Sequence, residues 1–133
     1  MTRALLADTG PLYAAVDRDD AYHVQAQQEL ERLEREQWVI VVSYSTLLEA
    51  HTLIMRRLGL RVAHVWLQEI QRGAVLVTPV ADDYSSAVER VQAYQDQALT
   101  LCDGVLAALS SRLRHAVWTY DHHFDNLRTP VWR

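Results

Sequence analysis

Short apolar runs alternate along this chain with longer stretches in which apolar residues recur at helical spacing. The runs are rich in Val, Ile and Leu without polar alternation, which is typical of strands covered on both faces. Strands separated by helices imply parallel connections, with helices packed on both faces of one sheet. The sequence therefore predicts a single α/β domain, with strands at residues 3–8, 38–42, 74–78 and 116–119 and an edge strand at residues 131–132.

Residues that begin and end helices stand at the borders of the intervening stretches. Pro11 suits the first turn of a helix that follows the first strand. Ser43 or Ser45 is placed to cap the next helix. Gly59 is placed to end that helix after Leu58. Further helices are predicted over residues 21–37, 60–72, 82–95 and 100–114, with a short helical turn at residues 121–127.

Length and composition fit one compact domain. The chain has 133 residues, half of them hydrophobic, which is enough to bury a single core. Cys102 is the only cysteine, so no disulfide can form within the chain. No apolar run approaches the ~20 residues that span a bilayer, and the run before Asp8 is too short for a signal peptide. We therefore expect a cytoplasmic protein.

The charge balance bears on nucleic-acid binding. A net charge of −4 is unusual for a protein that binds nucleic acid, because such proteins are commonly basic. If four carboxylates faced a bound cation, however, the remaining charges would balance. All 13 basic residues are Arg, whose planar fork of donors grips phosphate. Codon usage in a GC-rich genome would produce the same Arg count without any functional cause.

Four acids are expected to meet at one edge of the sheet. Asp8 ends the first strand, and Asp121 follows the fourth. Glu49 lies in about the second turn of the helix after the second strand, and Asp103 begins the helix before the fourth. Ligands of open parallel sheets collect at the carboxyl ends of the strands. Carboxylates gathered there repel one another unless a cation neutralises them, and oxygen ligands favour Mg²⁺ or Mn²⁺ over zinc.

Each acid also has a local explanation that requires no metal. Asp8 and Asp121 stand where each would cap the helix that follows it. Glu49 lies opposite the apolar face of its helix, as an ordinary solvated glutamate would. Asp103 forms a capping box with Thr100 in the sequence pattern. Its neighbours are apolar nearly all round, however, and an unpartnered acid there is costly.

Other catalytic sites are less well supported. His122 and His123 resemble a metal pair, but adjacent residues point apart on a helix, and no cysteine or third histidine stands nearby to complete a zinc site. Nothing in the sequence suggests a Ser-His-Asp arrangement or a glycine-rich phosphate loop. Phosphatase chemistry with Asp8 as the nucleophile usually needs a second Asp two residues later and a Lys. Position 10 is Gly, and the chain has no Lys.

Four segments together resemble the PIN-domain nucleases, and within them the VapC toxins of toxin–antitoxin pairs. The segments are LADTGPL at residues 6–12, TLLEAH at 46–51, LCDGVLAA at 101–108 and TYDHHF at 119–124. Each segment is short, but their order and intervals in a chain of this size are specific. The resemblance covers essentially the whole chain, so residues 1–133 are identified as one PIN domain.

The resemblance implies a parallel sheet of about five strands, with the site between the ends of the first and fourth. It implies that the acids are catalytic and bind one or two Mg²⁺ or Mn²⁺ ions, with hydroxyls supporting the metal ligands. The acids are Asp8, Glu49, Asp103 and Asp121, and the hydroxyls belong to Thr9 and Thr119.

Two positions near these acids need comment. Asp125 lies one turn after Asp121 and is an alternative fourth acid. Gly104 stands where the family commonly has Ala, and it is expected to loosen the start of its helix.

The resemblance implies an endoribonuclease in which a metal-activated water attacks the RNA phosphodiester in line and leaves 5′-phosphate and 3′-hydroxyl ends. Arg56 lies two turns after Glu49 and is expected to bind the RNA, although a solvated helix Arg would look the same. Two alternatives stay open from the sequence. The chain could be a solitary RNA-processing PIN nuclease, or a PIN-like scaffold that binds without catalysis.

Partners are implied as well. A VapC-like chain is expected to form a homodimer and to bind a small VapB-like antitoxin, which restrains the nuclease with an Arg directed into the acid pocket. The stretches 21–37 and 47–58 offer apolar residues for such contacts. Tyr13, Tyr22 and Trp66 are aromatic residues of the kind that anchor interfaces.

Overall fold

The computed structural model describes residues 2–133 and contains one five-stranded sheet. The strands are β1 (Ala4–Ala7), β2 (Val39–Ser43), β3 (Ala74–Val77), β4 (Ala116–Trp118) and β5 (Val131–Trp132). The helices are α1 (Thr9–Ala14), α2 (His23–Arg35), α3 (Tyr44–Leu58), α4 (Leu60–Gly73), α5 (Ala81–Ala93), α6 (Leu101–Leu113) and α7 (His123–Asn126). The strand order is β3-β2-β1-β4-β5, and all neighbouring pairs are parallel. β1 is therefore the central strand.

Helices cover both faces of the sheet. On one face, Leu5 of β1 belongs to a buried cluster that includes Ile54 of α3 and Trp66 of α4. On the other face, Leu6 belongs to a second cluster that includes Leu106 of α6. Successive side chains of a strand point to opposite faces, so β1 must be apolar at every position. The predicted α/β class and parallel sheet are confirmed.

β3 departs from the prediction of a strand covered on both faces. It lies at the edge of the sheet, where it pairs only with β2. Val75 of this strand is 51% exposed. A continuous apolar run does not reveal whether its strand is central or at an edge, because that depends on the strand order of the whole sheet.

The predicted borders of α3 are confirmed. Ser43 caps the helix, and its hydroxyl accepts a hydrogen bond of 3.3 Å from the backbone N–H of Ser45. The helix ends at Leu58, and Gly59 follows with a φ of 96°, a conformation that L side chains rarely adopt. These two residues determine where α3 begins and ends, and so how far Glu49 lies from the edge of the sheet.

Gly104 lies in the first turn of α6, where the structure gives it a packing role that the sequence did not predict. A Cβ at this position would lie 2.9 Å from the carbonyl oxygen of Ala87 and 3.0 Å from its Cβ. α5 and α6 therefore approach each other closely because position 104 has no side chain. An ion pair ties the same two helices, since Arg112 donates to both carboxylate oxygens of Asp83, at 3.0 and 2.8 Å.

Two of the three aromatic residues predicted to anchor interfaces belong to the core instead. Tyr13 is 4% exposed and Trp66 is 3% exposed, whereas Tyr22 is 46% exposed. The first two fill the space between the sheet and its helices, which the sequence pattern alone does not distinguish from a surface position. Across residues 2–133, no helix combines the length and the apolar character needed to cross a membrane.

Candidate metal centre

Asp8 lies at the carboxyl end of the central strand and is almost fully buried. Its side chain caps α1, where Oδ1 accepts a hydrogen bond of 2.8 Å from the N–H of Thr9. Its other oxygen, Oδ2, accepts a hydrogen bond of 2.7 Å from the hydroxyl of Thr119, which follows β4. The pairing of β1 with β4 brings these two residues together. Asp8 therefore has the helix-capping position that its sequence context predicts, and its orientation is held from both sides.

Glu49 is tied to the same place through Thr9. The Thr9 hydroxyl donates a hydrogen bond of 2.7 Å to Oε1 of Glu49, which joins α1 to α3. The glutamate is exposed, as the helical pattern predicts, but it is not simply solvated. The thiol of Cys102 lies beside it, and burial together with the Glu49 charge raises the pKa of that thiol to about 12.

Asp103 forms the predicted capping box. Its Oδ2 accepts a hydrogen bond of 3.1 Å from the N–H of Thr100, and its own N–H donates to the Thr100 hydroxyl at 3.1 Å. The cap uses Oδ2, which leaves Oδ1 for another partner. Asp103 is buried within the first turn of α6, so capping the helix and facing the site are compatible roles for one side chain.

Asp121 follows β4 and faces the same region. Its N–H donates a hydrogen bond of 2.9 Å to the Thr119 hydroxyl, and its Oδ1 accepts one of 2.9 Å from the N–H of His123. Asp125, the alternative fourth acid, points elsewhere. Its exposed carboxylate lies 3.4 Å from the guanidinium of Arg133, and it does not line the cleft.

All four acids line one open cleft of about 450 Å³ at the carboxyl edge of the sheet. Ligand atoms of Asp103, Asp121 and His123 lie within 4.8 Å of one another, close enough to hold one metal ion. Nδ1 of His123 is buried and lies 3.0 Å from Oδ1 of Asp121 without forming a hydrogen bond. The other residues of the lining are Thr9, Gly10, Tyr13, Asp20, Tyr22, Leu53, Arg57, Ala98, Thr100 and Tyr120.

Two of the four acids in the cleft, Asp8 and Asp103, have raised pKa values. Burial raises the pKa of Asp8 to about 6, and the charges of Asp103 and Glu49 raise it further. The hydrogen bonds from Thr119 and Thr9 lower this pKa and so offset part of the rise. Burial also raises the pKa of Asp103, with Asp121 and Glu49 contributing. Among residues 2–133, no Arg forms an ion pair with any of the four acids. A divalent cation would fit this donor set, since it would neutralise carboxylate charges that no Arg of the described residues pairs with.

A comparison with models of protein families gives the family of this chain. The family model of the PIN domain matches residues 5–129, which is nearly the whole chain. The chain belongs to the PIN domain family. The family predicted from the four sequence segments is therefore confirmed.

Solved structures share the fold of this PIN domain. VapC20 from Mycobacterium tuberculosis matches with a TM-score of 0.83 at 22% identity, covering 97% of this chain and 98% of that one. VapBC2 from Rickettsia felis matches with a TM-score of 0.76 at 12% identity, covering 98% and 97%. FitAcB from Neisseria gonorrhoeae matches with 0.68 at 17%, covering 97% and 96%. A search of functionally curated proteins finds no match.

Two residues of the PIN domain cleft were missed by the sequence analysis. His123 was set aside with His122 as a weak zinc pair, yet α7 turns its ring towards Asp121. Arg57 lines the cleft, with its guanidinium 5.3 Å from the ring centre of Tyr13. Arg56, the predicted RNA contact, lies in an adjoining groove with Leu48, Glu49, Thr52 and Leu53. Adjacent Arg residues on a helix look equivalent in sequence, and only the packing of α3 distinguishes them.

Proposed function

We propose that this PIN domain is an endoribonuclease that hydrolyses RNA with the help of Mg²⁺ or Mn²⁺, and that it is the toxin of a toxin–antitoxin pair. One observation carries the proposal: four carboxylates face one cleft, two of them have raised pKa values, and no Arg of residues 2–133 forms an ion pair with any of them. Such a cluster is costly to the fold without a cation. A chain that only scaffolds other proteins gains nothing from keeping it.

The acids have separate roles in this proposal. Asp103, Asp121 and His123 would hold the ion, since their ligand atoms lie within 4.8 Å of one another, and Asp8 would add a carboxylate from the same cleft. A bound divalent cation would lower the pKa of a coordinated water and offset the charge on the phosphate oxygens. Thr9 and Thr119 support the carboxylates, since each donates a hydrogen bond to an acid.

Glu49 orients the attacking water. Its Oε1 accepts the hydrogen bond from Thr9, which holds the carboxylate at the mouth of the cleft and leaves Oε2 to accept a hydrogen from that water. Attack by water in line with the leaving oxygen would release 5′-phosphate and 3′-hydroxyl ends. Arg57 at the cleft and Arg56 in the adjoining groove are placed to bind RNA phosphates on either side of Glu49.

The toxin assignment rests on likeness of fold. VapC20 is described as a toxin that cleaves the sarcin–ricin loop. A further structural match, from Klebsiella pneumoniae, is described as a toxin–antitoxin complex, with a TM-score of 0.67 at 18% identity. We infer a VapB-like antitoxin for this chain, and a homodimer as the state that binds it. An antitoxin Arg entering the cleft would pair with the carboxylates that otherwise hold the ion.

Cleavage of a labelled RNA by the purified protein tests the enzyme assignment. We expect cleavage that EDTA abolishes and that Mg²⁺ or Mn²⁺ restores. Asp8→Asn, Asp103→Asn and Asp121→Asn should each lower the rate by several orders of magnitude, because each removes both a ligand and a charge.

Asp125→Asn is the matched control. It makes the same chemical change one helical turn from Asp121, at an exposed acid outside the cleft, and should retain most of the activity. Cleavage that persists in EDTA, or equal losses in the Asp121 and Asp125 variants, would overturn the proposed site.

A further inference from the structure

A second cavity, of about 290 Å³, adjoins the acid cleft. Tyr22, Tyr120 and Asp121 line both spaces, so a molecule bound in the cleft can extend into the cavity without leaving the surface. Glu29 and Trp132 complete much of its wall. Its size is near the lower end of the roughly 300–1,000 Å³ found for small-ligand pockets. No residue of this cavity other than Asp121 and Thr119 has a role in the proposed metal site.

An aromatic stack forms the boundary between the two spaces. The rings of Tyr22 and Tyr120 lie 4.6 Å apart at an interplanar angle of 16°. Tyr22 is 46% exposed, so part of this stack remains open to a ligand. Its backbone is held in place, because Oδ1 of Asp20 accepts a hydrogen bond of 2.8 Å from the Tyr22 N–H. Exposed aromatic rings held rigidly are the surfaces on which unpaired nucleobases stack.

A carboxylate of fixed orientation lies beside the stack. Oε1 of Glu29 accepts hydrogen bonds from the indole N–H of Trp118, at 3.2 Å, and from the Tyr120 hydroxyl. Burial and the neighbouring Glu29 raise the pKa of Tyr120, so its hydroxyl stays a donor. Both donors reach the same oxygen, which leaves Oε2 of Glu29 to accept from a ligand. An ionised carboxylate can only accept hydrogen bonds, so the free oxygen of Glu29 selects ligand groups that carry N–H donors.

We propose that this cavity binds the nucleobase next to the scissile phosphate, with the base stacked on Tyr22 and its N–H donors directed to Glu29. Guanine suits the cavity best, since its Watson–Crick edge has two adjacent donors. Uracil suits it least, since its one N–H lies between two carbonyl oxygens that the carboxylate repels. The proposal rests on the proposed ribonuclease function, which it deepens by naming the base that the enzyme selects.

Nucleotide binding tests the cavity without requiring any cleavage. The probes are guanosine 5′-monophosphate and uridine 5′-monophosphate in Mg²⁺, which share a phosphate and differ in the base. We expect the guanosine nucleotide to shift the indole N–H resonance of Trp118 in a saturable way, because this group donates to Glu29. The uridine nucleotide should bind about 5- to 150-fold more weakly, the range for one good base contact. Equal binding of the two, or no effect on Trp118, would overturn the proposal.

Variants separate base selection from a structural role. Glu29→Gln keeps an oxygen for Trp118 and Tyr120 but presents an amide N–H to the base, so the preference should shift from guanine towards uracil. Tyr22→Ala should weaken binding of either base by about 5- to 150-fold, whereas Tyr22→Phe should retain it. Unchanged preference in Glu29→Gln would contradict the assignment, since a purely structural Glu29 would leave the preference unmoved.

A cleavage assay shows which of the two proposals fails, if either does. Its substrates are short RNAs that differ only in the base beside the scissile phosphate. If the protein cleaves RNA but Glu29→Gln leaves its base preference unchanged, the cavity assignment fails and the function stands. If guanosine nucleotide binds at Trp118 but no RNA is cleaved, the ribonuclease function fails and the cavity remains a base-binding site.

Discussion

The carboxylate of Asp8 lies where burial and two neighbouring acids disfavour its charge, and its pKa is raised to about 6. An unperturbed aspartate of this kind ionises near pH 3.8. Between about pH 4 and 6 the folded chain therefore holds a proton that the unfolded chain has lost. The free energy of unfolding should fall as the pH rises through this window, when no metal is bound.

Asp8→Asn removes the free-energy cost of ionising a buried carboxyl group in the folded chain. In EDTA at pH 7 the variant should be more stable than the wild type by about 1–3 kcal/mol, and the difference should vanish at about pH 4. Mg²⁺ should then stabilise the wild type more than the variant, which lacks one of the carboxylates that face the ion. Denaturant titrations at both pH values, with and without Mg²⁺, measure all of these quantities. A variant less stable than the wild type at pH 7 without metal would show that Asp8 supports the fold rather than straining it.

At the scale of elements, the packing of α5 on α6 depends on Gly104. A methyl group there would meet the backbone carbonyl of Ala87 at 2.9 Å, which cannot rotate away as a side chain would. Ala favours helices over Gly by about 1 kcal/mol, but overpacking a close contact costs about 1–3 kcal/mol. Gly104→Ala should therefore destabilise the protein by about 1–2 kcal/mol, measured by denaturant unfolding.

Gly73→Ala is the control for that prediction, because a Cβ at Gly73 would meet nothing within 4 Å. It should be neutral or stabilising by up to about 1 kcal/mol. Gly104 follows Asp103, so a shift at the start of α6 would also move a cleft carboxylate, and activity should fall along with stability. If both glycine variants behaved alike, the close approach of α5 would not be what requires glycine.

At the scale of the whole molecule, exposed apolar side chains on α2 and α3 suggest association. Val24 is 66% exposed and Leu48 is 68% exposed, on the two stretches that the sequence predicts for partner contacts. We expect light scattering to report twice the mass of one chain, and we expect Leu48→Glu to shift the protein towards monomer while its circular dichroism stays unchanged. Addition of the product of an adjacent upstream gene should inhibit RNA cleavage. A wild type that is monomeric and has no such inhibitor would favour a solitary RNA-processing nuclease.

Local sequence determined the elements of this protein. The apolar runs, Ser43, Gly59 and the capping box of Thr100 with Asp103 each act through neighbours in the chain, and their predicted structures are present. The sequence also predicted that Asp8 and Asp121 would lie at the same edge of the sheet. Both follow predicted strands, and parallel strands direct their carboxyl ends to one edge.

The tertiary structure decided what those residues face. Val75 is exposed on a strand that lies at the edge of the sheet, and Gly104 matters because Ala87 comes from another helix. The stack of Tyr22 on Tyr120, and the bond from Trp118 to Glu29, join residues about 90–100 positions apart in the chain. Contacts of this kind depend on how the helices pack around the sheet, and no local pattern encodes them.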